Sequence, residues 1–140
     1  MLSKSILVIS DQHAPYNHID TLDFLAAIKK KYKPDTVVNI GDEMDWHSIS
    51  FHDKHPGLYS PSHELQVARE FFKNLETLFP KQYIMDSNHG SLVFRKATRH
   101  GLPHEVFTSY NKMIGVGKGW TWHEDLILKA SNGQKIYFCH

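Results

Sequence analysis

Four short apolar runs punctuate the chain: Ile6-Leu7-Val8-Ile9, Val37-Val38-Asn39-Ile40, Tyr83-Ile84-Met85 and Ile136-Tyr137-Phe138-Cys139. Their length and their β-branched and aromatic content predict buried strands. Between them the apolar spacing becomes helical. From Ile19 onward, Leu22, Leu25, Ala26 and Ile28 predict an amphipathic helix ending near Tyr32. The basic run Lys29-Lys30-Lys31-Tyr32-Lys33 falls in its last turns, where cations complement the helix C-terminus. Pro61-Ser62 opens the longest helix, with Leu65, Ala68, Phe72, Leu75 and Phe79 along one stripe, and Pro80 ends it. Trp46 to Tyr59 predicts little beyond a helical turn, and a basic helix is expected over about Leu92 to His100. Near the C-terminus, Leu126–Ala130 and Gln134–Cys139 flank Ser131-Asn132-Gly133, a hairpin signal. Strand and helix alternate first and hairpin pairing follows, which places the chain in the α/β class.

The totals narrow this picture. At 140 residues, 41% hydrophobic and 22% charged, the chain reads as one globular domain spanning 1–140. A formal charge of +1 offers no bulk attraction to nucleic acid or membrane, so polyanion binding needs a local patch or a metal. The single cysteine, Cys139, excludes an intrachain disulfide framework and favours a reducing, cytoplasmic setting. No stretch is long enough to span a bilayer, and the N-terminal apolar run meets Asp11 too soon for a signal peptide. The eleven histidines are scattered rather than clustered as a tag.

Chemistry concentrates just past the first three runs, in Asp11-Gln12-His13, Gly41-Asp42-Glu43-Met44-Asp45 and Asn88-His89; the fourth run leads into His140. In an open α/β sheet, ligands gather beyond the carboxyl ends of the strands. Carboxylates, imidazoles and an amide carbonyl form a hard-to-borderline donor set that suits Mn²⁺, Fe or Zn²⁺ better than a thiolate-preferring metal. A carboxylate binding through both oxygens can hold two cations, which lower the pKa of a shared water and neutralise a phosphoryl group. A histidine outside the metal shell can then protonate the leaving oxygen.

The order of these fragments resembles the calcineurin-like metallophosphoesterases, whose pattern runs Asp-x-His, Gly-Asp-x-x-Asp, Gly-Asn-His-Asp/Glu, a strand-end His, then Gly-His-x-His. The resemblance implies an αββα sandwich, here without its last strands. It also implies hydrolysis of a phosphomonoester or phosphodiester through a dimetal-bridged hydroxide, with two divalent cations, Mn²⁺ first and Fe or Zn²⁺ as alternatives. Carried over by position, Asp11 and His13 would bind one metal and Asp42 would bridge. Asn88 and His140 would bind the second, and His89 would protonate the leaving group. The stand-alone layout looks most like phosphoesterases common in bacteriophage genomes.

Three departures qualify the match. Ser87 replaces the usual glycine before Asn-His. Gly90 stands where an acid often orients the catalytic histidine, so another group, with Asp45 as the candidate, must take that role. The Gly-His-x-His motif is absent, which leaves both sites one ligand short by the family's pattern. A rival reading follows: a non-catalytic fragment, or one completed by a second chain or by self-association at an exposed C-terminal edge strand. Arg95 and Arg99, one helical turn apart, read either as a clamp for substrate phosphate or as a solvated basic face. His47, His52, His55 and His63 read as surface histidines, Trp120 and Trp122 as core or hairpin packing, and Cys139 as a buried strand residue. Substrate identity stays open among monoesters, nucleotides, nucleic acid and phosphoproteins.

Overall fold

The computed structural model describes residues 4–140. Three of the apolar runs form parallel strands: β1 (Ile6–Ile9), β2 (Thr36–Asn39) and β3 (Gln82–Met85). A fourth strand, β4 (Trp120–His123), joins them in the order β1-β2-β3-β4. Two-residue periodicity divides the sheet into two faces. Leu7, Ile9, Val37, Ile84 and Trp120 lie on the face covered by helices α1 (Thr21–Tyr32) and α2 (Pro61–Leu78) and the short α4 (Tyr110–Ile114). Leu25, Ala68, Phe72, Leu75 and Phe79 fill the space between, so the stripe read along α2 is the stripe that packs. Complete burial of a side chain the size of Phe72 is worth roughly 1.5–3 kcal/mol.

The ends of α2 follow from local chemistry. Ser60 caps the helix by accepting the His63 N–H, Pro61 occupies its first turn, and Pro80 follows its end. Helix α3 (Leu92–Arg99) carries the basic segment. The stretch from Trp46 to Tyr59 contains one 3₁₀ turn, His47–Ile49, in line with the sequence expectation.

The predicted hairpin is present as β5 (Leu126–Lys129) and β6 (Lys135–Phe138), antiparallel and separate from the main sheet. Phe138, Leu126 and Leu128 pack with Val38 and Met85 on the second face of the sheet. The fourth apolar run is thus not a buried strand. Phe138 alone in it is buried, while Ile136 and Tyr137 are exposed, because the hairpin has one packed face and one open face. Cys139, expected to be buried, is exposed just past β6. Trp120 proves to be core, its indole N–H donating to the Phe79 carbonyl at 2.9 Å, but within a parallel strand rather than a hairpin. Among the described residues, no helix is long and apolar enough to cross a membrane.

Candidate metal centre

The loops after β1 and β2 continue the parallel pairing beyond the strands. Asp11 N–H donates to the Gly41 carbonyl, His13 N–H to Asp42, Ala14 N–H to Glu43, and Asp45 N–H back to Ala14. Asp11, His13 and Asp42 all sit at positive φ, between 49° and 53°. Backbone strain of this kind costs roughly 1–3 kcal/mol per residue and persists only where the surroundings impose it. A buried amide network supplies that support. Asn39 donates to the Gln12 side chain at 2.8 Å and accepts the Gly41 N–H at 3.0 Å, and Gln12 donates to the Ser10 carbonyl. Gly41 has φ +105°, and a Cβ there would stand 2.6 Å from Ser87 Cβ and 2.8 Å from His140 Nδ1. Only glycine lets the three strand ends approach so closely.

Asp42 is buried at the centre, and its two oxygens face two different groups of atoms. On one side Oδ2 lies 3.9 Å from His13 Nε2, which is 3.7 Å from Asp11 Oδ1. The Ser10 hydroxyl donates to the other Asp11 oxygen. On the opposite side Oδ1 lies 3.6 Å from His140 Nε2, which meets Asn88 Oδ1 at 2.7 Å. The protonation of both rings follows from their partners. His13 Nδ1 must carry hydrogen to donate to Asp45 Oδ1 at 2.8 Å, and His140 Nδ1 must do so to donate to the Ile40 carbonyl at 2.9 Å. In a neutral ring each Nε2 is then a lone-pair atom. Two sets of acceptors therefore converge on Asp42, and acceptors held this close need a cation or an added proton among them. The donors are nitrogen and oxygen only, as Mn²⁺, Fe and Zn²⁺ sites use, and rings tethered through Nδ1 are typical of metal-ligating histidine. The residues fit divalent metal.

His89 stands beside this cluster. Its N–H donates to Asp42 Oδ1 at 3.2 Å, and its ring meets that of His13 edge-on at 4.8 Å. Ligand atoms of His13, Asp42 and His89 lie within 4.8 Å of one another, so these three could also hold an ion. Asp45 reaches both histidines, by different groups. Its carboxylate takes His13, whereas its backbone carbonyl accepts His89 Nδ1–H at 2.5 Å, with the nearer carboxylate oxygen 3.9 Å away. Arg95 donates to the Asn88 carbonyl at 2.5 Å, while Arg99 lies further along α3, over the Phe51 ring. His47, His52, His55 and His63 stay outside the cluster; His47 packs edge-on against Tyr16 and accepts the His55 N–H.

Two buried acids that sequence reasoning passed over support the centre. Glu64 on α2 accepts the N–H groups of His47 and Ser48 at 2.8 and 2.9 Å, fixing the chain that leaves the Asp42 loop. Its place on the buried stripe of α2, one residue before Leu65, was the available signal. Glu43 is fully buried, with Trp122 and Tyr110 beside its carboxylate. A Cβ at Gly90 would lie 3.4 Å from Glu43 Oε1, so a carboxylate from the loop after β2 stands beside Gly90. Burial pushes the Glu43 pKa up to about 7.

The fold and the cluster together define an α/β protein with an oxygen- and nitrogen-rich metal-binding centre at the ends of parallel strands. The family model of the calcineurin-like phosphoesterases matches residues 4–140, and the chain belongs to that family. No curated protein matches it.

Proposed function

We propose that this chain is a phosphoesterase acting on a phosphomonoester or phosphodiester with two divalent cations, Mn²⁺ first among them. Asp11 and His13 would hold one, Asn88 and His140 the other, and Asp42 both. The observation that carries this reading is the division of the two Asp42 oxygens between two sets of acceptor atoms. When bound, the cations neutralise phosphoryl charge and acidify the attacking water. Asp45 holds His13 by its carboxylate and keeps Nε2 free of hydrogen. The same residue's carbonyl fixes His89 through Nδ1–H, which leaves Nε2 to carry the proton delivered to the leaving oxygen.

The test is hydrolysis of bis-p-nitrophenyl phosphate with Mn²⁺, alongside calorimetric titration of the metal. Asp42→Asn is expected to lose both cations and all activity. His89→Ala is expected to keep both cations and lose about 10²–10⁴-fold in rate. Two cations retained by Asp42→Asn would overturn the bridging assignment. A second reading is favoured by the outer face of the hairpin, where paired Ile127 and Tyr137 are 59% and 58% exposed. On it the chain is inactive alone, and a complementing chain or a second copy covers this edge. Hydrolysis by a species that sediments as a monomer would refute that reading.

A further inference from the structure

Beside the metal centre, a cavity of about 530 Å³ opens between α3 and the loop at Phe51, and the chemistry above makes no use of it. Phe94, Arg95 and Arg99 of α3 line it together with Phe51 from the facing loop. Arg95, Lys96 and Arg99 place their charges 5.8, 4.2 and 4.3 Å from the centre of the single Phe51 ring. No carboxylate pairs with them, since every ion pair among the described residues joins a histidine to an aspartate. Three cations around one ring repel one another, and cation–π attraction at an exposed ring offsets only part of that. An anion entering the cavity relieves the repulsion.

The cavity is also joined to the centre. Arg95 donates to the carbonyl of Asn88, whose side chain meets His140. Arg99 follows one helical turn later, about 6 Å along the axis. Phe94 has one face stacked on His104, with ring centres 5.4 Å apart, and Phe51 is 40% exposed. Guanidinium groups that grip phosphate, interleaved with aromatic faces, are the combination that binds single-stranded nucleic acid.

We propose that this cavity is the subsite for the nucleotide next to the scissile phosphate, and that the substrate is a phosphodiester within a short single strand. The proposal rests on the phosphoesterase reading of the adjoining cluster. The neighbouring phosphate lies against Arg95 and Arg99, and its base meets the Phe51 ring. A formal charge of +1 confines the contact to this patch, a few nucleotides rather than a long track.

Binding can be read without metal, by fluorescence anisotropy of a labelled thymidine tetranucleotide on the full chain in EDTA across a range of KCl. Replacing Arg95 and Arg99 together by Ala should lower affinity about tenfold or more and reduce the salt slope by about 0.7, the contribution of one phosphate contact on a single strand. Phe51→Leu should weaken binding by about tenfold with the slope unchanged. A Lys30→Ala, Lys31→Ala control on α1 should alter neither. Wild-type affinity in the Arg95, Arg99 double variant would overturn the proposal, as would a tetra-aspartate peptide competing as well as the oligonucleotide. The two failures are distinguishable. Hydrolysis of bis-p-nitrophenyl phosphate without oligonucleotide binding sinks the subsite alone. Tight binding with neither ester hydrolysed sinks the phosphoesterase reading and, with it, the subsite next to a scissile phosphate, and leaves only a single-strand binding patch.

Discussion

Glu43 should make the metal-free protein less stable as pH rises, and Glu43→Gln should remove the effect. The carboxyl is completely buried, and burial lifts its pKa from 4.5 to about 7. The backbone N–H, Trp122 and Tyr110 oppose that rise, and the Asp42 charge adds to it. Between pH 4.5 and about 7 the folded state keeps a proton that the unfolded chain has released. Stability contributed by this group is therefore full below pH 4.5, falls through that window and is constant above it. The rise from 4.5 to about 7 corresponds to about 3 kcal/mol. Gln keeps the size and shape but cannot ionise. Urea unfolding in EDTA, followed by tryptophan fluorescence, gives the difference between variant and wild type. That difference should grow in favour of Gln by about 3 kcal/mol across the window and then level off. Other titrating groups, the histidines above all, are common to both proteins and cancel. A difference that stays flat with pH would show that Glu43 ionises in the folded state as readily as in the unfolded one.

Three further outcomes are expected. Asp45→Ala removes the acceptor of His13 Nδ1–H but keeps the carbonyl that holds His89, so Mn²⁺ affinity by calorimetry should fall about 10–100-fold. Gly41→Ala forces a methyl to within 2.6 Å of Ser87 Cβ at φ +105°, and should lose about 1–3 kcal/mol in urea unfolding together with metal affinity. Glu64→Gln turns an amide N–H₂ towards one of two backbone donors, and should lower stability by about 1–3 kcal/mol without a change in metal stoichiometry.

The elements easiest to read were those whose signal is local. The stripe and proline punctuation of α2, the apolar runs of β1 to β3 and the Asn-Gly turn of the hairpin depend on neighbours within a few residues. Strand β4 was harder. Trp-Thr-Trp-His alternates like any half-buried strand, and only pairing with β3 makes it the parallel edge of the sheet. The run at 136–139 misled because apolar content marks a strand without saying how many of its faces will be covered.

At the candidate centre, sequence alone determined which chemistry was on offer: carboxylates, imidazoles and an amide, each just past an apolar run. Tertiary structure decided how they were divided. It turned one Asp42 oxygen to His13 and the other to His140, and gave the Asp45 carboxylate to His13 and its carbonyl to His89. It also slid the Glu43 carboxylate beside Gly90 and drew Phe51 under the cations of α3. The reason is physical. Residue type and strand-end position are properties of a local segment, whereas the partner of each oxygen depends on atoms brought together from segments as far as 100 residues apart, as His140 and Ile40 are.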